Sequence, residues 1–128
     1  MSESILIVDD NPINLKLVRV ILTTEGYAVR TASDAEEALE VLREFTPRLI
    51  VMDLQLPGMD GLELTRRLKA DPATRGISIL AVTAYAMKGD EEKALDAGCD
   101  GYVSKPIDAD ALPAIVAGCL ARTVEEGR

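Results

Sequence analysis

Three apolar runs of strand length recur along the chain, at Ile5-Leu6-Ile7-Val8, Leu49-Ile50-Val51-Met52 and Ile79-Leu80-Ala81-Val82. They do not alternate with polar residues, so both faces of each strand must be covered. That is the pattern of a parallel sheet with helices on either side. Weaker strand patterns lie at Ala28–Ala32, after the turn Glu25-Gly26-Tyr27, and at Gly101–Ser104. Between the strands the apolar period changes to that of a helix. Asn11 and Pro12 form an N-cap and first helical residue ahead of Leu15, Val18, Ile21 and Leu22. Ser33-Asp34-Ala35-Glu36 has capping-box spacing ahead of Ala38, Leu39 and Leu42. Asp60-Gly61-Leu62-Glu63 opens a third helix that stops by Asp71-Pro72. A fourth is expected from about Ala86 to Ala97, with Gly98 as its C-terminal glycine. The fifth is expected to begin near Asp108 or Asp110, best near Asp110 because of Pro113, and to run to about Ala121.

Strand and helix therefore alternate five times without a linker or repeat. Right-handed crossovers then give an α/β fold, a doubly wound five-stranded parallel sheet with flavodoxin-like strand order 2-1-3-4-5. Residues 1–122 are expected to form one domain and residues 123–128 a polar, frayed tail.

In such a sheet, ligands bind beyond the carboxyl ends of the strands, where the strand order reverses. Asp9 and Asp10 follow the first strand, Asp53 the third, Thr83 the fourth and Lys105 the fifth. In the order 2-1-3-4-5 these four strands are neighbours, so the five residues converge. Each alone is most simply a cap or a loop residue. Together, three carboxylates need a counter-charge, and a hard divalent cation with oxygen ligands supplies it, Mg²⁺ above all and Mn²⁺ as an alternative. Lys105 adds a fixed cation and Thr83 a hydroxyl. The arrangement suits a carboxylate nucleophile that takes up a phosphoryl group, with Asp53 in that role.

Composition narrows the choice. The chain has no histidine, which excludes a Ser-His-Asp triad, a histidine-ligated zinc and a phosphohistidine of its own. A net charge of −8, no tryptophan and a single phenylalanine argue against direct nucleic-acid binding. Cys99 and Cys119 lack metal-ligand spacing and are expected to be reduced core residues. No apolar run reaches the roughly 18–20 residues of a membrane span, and no leader segment is visible, so the expected setting is cytoplasmic. Met1 and a short charged tail are what a complete chain would carry, although an excised piece of a larger protein stays open.

Taken together, Ile7-Val8-Asp9-Asp10-Asn11, Met52 to Gly61 (MDLQLPGMDG), Val82-Thr83-Ala84 and Ser104-Lys105-Pro106 resemble the receiver domain of bacterial two-component response regulators, over residues 4 to about 121. The stretch Thr83 to Glu92, with Gly98-Cys99 and Tyr102 to Ile107, is more narrowly similar to stand-alone regulators of cell division and polarity. The resemblance implies that Asp53 is the phosphoacceptor. It implies that Asp10 holds the metal directly and Asp9 largely through water, with Asp53 and the Gln55 backbone carbonyl completing the protein ligands. Lys105 would pair with the phosphoryl group across a cis Lys105–Pro106 bond. Thr83 would move to bond the phosphoryl group and Tyr102 would follow, the alternative for Tyr102 being an ordinary half-buried strand aromatic. Gln55 and Tyr85 occupy the positions that tune phosphoryl lifetime.

The implied function is that of a single-domain regulator in a phosphorelay. A sensor histidine kinase or a histidine phosphotransfer protein would donate, and a downstream protein would read the face of the fourth helix, fifth strand and fifth helix. The protein would be a phosphoacceptor that acts on no external substrate, and a monomer or weak dimer. A haloacid-dehalogenase-type phosphatase needs a second acid two residues after the nucleophile, where Gln55 stands. A flavin-binding protein of this fold needs a phosphate loop after the first strand, where Asp9 and Asp10 would repel a phosphate.

Overall fold

The computed structural model describes residues 3–56, 58–59, 61–83 and 90–126. Five strands and five helices alternate: β1 Ser4–Val8, α1 Pro12–Thr24, β2 Ala28–Ala32, α2 Ala35–Glu44, β3 Leu49–Asp53, α3 Gly61–Ala70, β4 Ser78–Thr83, α4 Asp90–Ala97, β5 Gly101–Ser104 and α5 Leu112–Glu126. All four strand pairings are parallel, and the sheet order is β2-β1-β3-β4-β5, as the alternation requires.

The continuous apolar runs are explained by burial on both faces. Every residue of β3 and β4 is buried, including Asp53 and Thr83, which end those strands rather than follow them. On one face Leu6, Val8, Ile50, Met52, Ile79 and Ala81 pack with Ala35 and Ala38 of α2, Leu64 and Leu68 of α3, and Ala94 of α4. On the other, Ile5, Ile7, Val51 and Val82 pack with Val18 and Leu22 of α1 and with Leu112, Val116 and Leu120 of α5. Cys99 belongs to the first core and Cys119 to the second, so the sheet separates the two thiols, neither of which is in a disulfide. Burial pushes the Cys99 thiol pKa above its ordinary value.

Helix ends follow the local chemistry, with three departures from the sequence reading. Asn11 caps α1, its side chain accepting from the Ile13 and Asn14 N–H groups. The cap of α2 is Asp34, one residue later than expected. Asp34 accepts from the Glu37 N–H, and Glu37 reaches back to the Ser33 N–H and hydroxyl. The cap is therefore Asp34 with Glu37 at the third helical position, and Glu37 closes back on Ser33, the residue before the cap, where the spacing points to a Ser33/Glu36 pair. The start of α5 is delayed because Asp108 forms a turn of its own, accepting from the Asp110 and Ala111 N–H groups. The regular helix begins at Leu112, which places Pro113 in its first turn, where a missing N–H is harmless. It continues to Glu126, so residues 123–126 are helical where a frayed tail was expected. The expected start of α4 near Ala86 lies outside the described residues.

At the amino end of the sheet, Lys69 of α3 donates to the carbonyls of Arg75 and Ile77 and to Asp100, which also accepts the Ile79 N–H at 2.8 Å. This clasp ties the end of α3, the start of β4 and the entry to β5 together. Gly98 fits beside it at φ +109, where a Cβ would lie 2.7 Å from Lys69 Cγ.

Candidate functional site

The sheet order brings the carboxyl ends of β1, β3, β4 and β5 side by side, and the predicted polar residues arrive together. Oxygen atoms of Asp9, Asp10 and Asp53 lie within 4.8 Å of one another. Lys105, just past β5, places Nζ 3.3 Å from Asp53 Oδ2 and 3.6 Å from Asp9 Oδ2. Asp53 is 2% exposed and Asp9 5%, whereas Asp10 is exposed and marks the solvent side. The Lys105–Pro106 peptide is cis.

Backbone donors hold the carboxylates in place. The Asn11 N–H donates to Asp9 Oδ1 and the Gln55 N–H to Asp53 Oδ1, both at 2.9 Å. The loop after Asp53 is itself fixed, by Leu54 N–H to the Val82 carbonyl and by Gly61 N–H to the Leu54 carbonyl. Thr83 is buried, and its hydroxyl accepts from Gln55 Nε2. Tyr102 lies on β5 opposite Ala81, half-buried against the core that contains α3 and α4. Tyr85 lies outside the described residues.

Burial first, and then the adjacent Asp53 carboxylate, push the Asp9 carboxyl above the ordinary range, against the opposing pull of the Asn11 N–H and Lys105. Three carboxylates and one ammonium leave a surplus of negative charge in a mostly buried cleft. That donor set, all oxygen and partly open to solvent, fits a hard divalent cation. It also makes Lys105 structurally important. A Lys105→Met protein leaves two buried carboxylates without their cation, and in the presence of chelator its unfolding free energy is expected to fall by about 2–4 kcal/mol. Urea denaturation of the two proteins side by side measures this, and the added Mg²⁺ that restores part of the loss should do so more strongly in the variant.

Sequence reasoning missed two features. One is the side-chain bond from Gln55 to Thr83, which depends on a loop conformation no periodicity encodes. The other is an exposed apolar stripe on α1, where Ile13 is 76%, Leu17 40% and Val20 51% exposed, lining a shallow groove with Pro12 and Lys16. Its signal was present, since the run from Leu15 to Leu22 is apolar on more faces than one core can cover.

Comparison with known proteins agrees with this geometry. The family model for the response regulator receiver domain matches residues 5–117, and the chain belongs to that family. It is therefore a receiver domain of two-component signalling. A narrower likeness is to the polar-differentiation response regulator DivK of Brucella ovis, 49% identical over 107 residues, which are 84% of this chain and 87% of that protein. Among solved structures, a CheY-like receiver domain protein from Methanospirillum hungatei is 32% identical with a TM-score of 0.90, covering 98% of this chain and 99% of the other. The receiver domain of a Pseudomonas aeruginosa sensor histidine kinase, described with a magnesium ion coordinated in its active-site cleft, is 33% identical with a TM-score of 0.85 over 94% and 99% of the two chains. Among the described residues, no helix is long and apolar enough to cross a membrane.

Proposed function

We propose that this chain takes a phosphoryl group from a phosphohistidine, on a sensor kinase or a histidine phosphotransfer protein, onto Asp53, and signals through a changed α4–β5–α5 surface. One observation carries the reading: a buried Asp53 carboxylate 3.3 Å from Lys105 and clustered with Asp9 and Asp10. Asp10, Asp9, Asp53 and the Gln55 backbone carbonyl would hold Mg²⁺, or Mn²⁺ in its place. When bound, the cation supplies the positive charge that neutralises developing negative charge on the phosphoryl oxygens.

The chain's own residues do the rest. An Asp53 oxygen attacks phosphorus, the P–O bond forms as the P–N bond of the donor breaks, and the electron pair remains on the donor imidazole. Lys105 pairs with the transferred oxygens, and Thr83 offers them its hydroxyl. Tyr102, on the neighbouring strand, responds to the displacement of Thr83 and alters the outer face. Gln55 and Tyr85 stand where phosphoryl lifetime is tuned. The protein acts as an acceptor and not as a multi-turnover enzyme, in the cytoplasm, as a monomer or weak dimer.

The donor docks across the start of α1. Asn11 caps that helix directly after Asp10, so the stripe of Ile13, Leu17 and Val20 adjoins the acidic cleft, and a donor histidine reaching Asp53 passes beside it. An apolar surface on the donor is the complement of that stripe.

Incubation with acetyl phosphate, with and without Mg²⁺, followed by intact-mass analysis tests the reading. The expected result is a gain of one phosphoryl group that requires the cation and maps to the peptide containing Asp53. No gain under saturating donor, or a gain mapped elsewhere, rejects it.

A further inference from the structure

Gln55 touches both sides of the site. Its main-chain N–H donates to Asp53 Oδ1 at 2.9 Å, and its side-chain Nε2 donates to the Thr83 hydroxyl. The loop that carries it is fixed against β4 by the Leu54 N–H to Val82 carbonyl bond, so the amide is delivered to the end of β4 by a short, anchored segment. Thr83 is 1% exposed and Gln55 half-buried, so the Thr83 end of the bond is shielded from water. In the unphosphorylated protein the hydroxyl oxygen therefore already has a donor, and its orientation is set.

We propose that Gln55 is a positioning residue that restrains Thr83 in the resting arrangement and so sets how far the equilibrium lies from the signalling state. The inference rests on the reading of Asp53 as phosphoacceptor and Thr83 as the group that bonds the phosphoryl oxygens. A phosphoryl group adds nearly two negative charges and three strong acceptor oxygens beside Thr83. As Thr83 moves toward them, as the proposed function requires, its hydroxyl draws away from the Gln55 amide. One neutral hydrogen bond, made in the resting state alone, opposes the change. Such a bond shifts a two-state equilibrium by about three- to tenfold. The opposite arrangement, in which the Gln55 amide itself turns onto the phosphoryl oxygens, would have the opposite sign.

Beryllofluoride, a non-covalent stand-in for the phosphoryl group, provides the test in the full chain with saturating Mg²⁺. Gln55→Met keeps the length of the side chain and removes its donor. Its beryllofluoride affinity is expected to rise about three- to tenfold over wild type, because less of the binding free energy goes into releasing Thr83. In a Thr83→Ala background the same substitution is expected to change nothing. The amide resonances of Thr83 and Tyr102 in resting Gln55→Met are expected to lie displaced from wild type along the line toward the beryllofluoride-bound positions. Unchanged affinity, or a fall in affinity that persists with Thr83→Ala, overturns the proposal. Wild type that binds no beryllofluoride with Mg²⁺ rejects the phosphoacceptor reading itself, a result separable from an unresponsive Gln55→Met.

Discussion

An Asp53→Asn protein is expected to gain no phosphoryl group from acetyl phosphate under conditions that saturate wild type, and yet to be the more stable of the two when divalent ions are removed. The amide keeps the shape of the carboxylate and can still accept the Gln55 N–H through Oδ1. It is not a nucleophile toward phosphorus, so intact mass should stay unchanged even after long incubation. The stability gain follows from charge. In wild type, Asp53, Asp9 and Asp10 crowd together, with the Lys105 ammonium within salt-bridge distance of Asp53 and Asp9. Removing one negative charge leaves Lys105 paired with Asp9 and relieves the repulsion that contributes to raising the Asp9 pKa. The expected gain is about 1 kcal/mol, a few degrees in Tm by calorimetry in chelator. Mg²⁺ should narrow the difference by stabilising wild type more. A variant that is both inactive and less stable would mean that Asp53 is held by structural needs rather than by chemistry.

Gly61→Ala is expected to damage the site from outside it. The first residue of α3 lies so close to the end of β3 that a Cβ there would press on the Asp53 carbonyl and stand 2.8 Å from Leu54 Cα. Both are backbone atoms, so no side-chain rotation relieves the clash. Either α3 moves away or the Asp53–Leu54 segment does, and the Gly61 N–H to Leu54 carbonyl bond is disturbed in both cases. We expect a loss of about 2–3 kcal/mol in unfolding free energy and a phosphorylation rate lowered about tenfold or more, because the nucleophile is displaced relative to Lys105. Gly118→Ala is the control. It lies within α5, nothing stands within 4 Å of a Cβ there, and added helix propensity should raise stability by about 0.5–1 kcal/mol with phosphorylation unchanged. Equal rates for Gly61→Ala and wild type would show that the packing at this helix start does not govern Asp53.

Much of this was readable before any coordinates. The doubly apolar runs specify strands buried on both faces, and the alternation with helices leaves few topologies. The sheet order then brings Asp9, Asp10, Asp53 and Lys105 together without further assumption. What could not be read is what depends on choosing between equivalent local options. Ser33 and Asp34 both make good caps, and in the fold Asp34 accepts the Glu37 N–H while the Ser33 N–H and hydroxyl donate to the Glu37 carboxylate, a choice no spacing decides. Asp108 and Asp110 compete in the same way, and the turn closed by Asp108 delays α5 to Leu112. Gly61 reads as a helix-start residue in the sequence, while its cause is the distance between two backbones. The Gln55 amide could have faced solvent, and its bond to Thr83 exists because the loop after β3 is fastened to β4.

The clasp at the other end of β4 gives that strand a particular mechanical character. Lys69 and Asp100 bind the residues where the strand begins, including the Ile77 carbonyl and the Ile79 N–H. Thr83, at the far tip, instead adjoins Lys105, whose N–H donates to its carbonyl at 2.7 Å. β4 is thus fastened at its root by side chains and at its tip by a main-chain bond, and the tip bond joins Thr83 directly to Lys105, the residue whose ammonium faces Asp53.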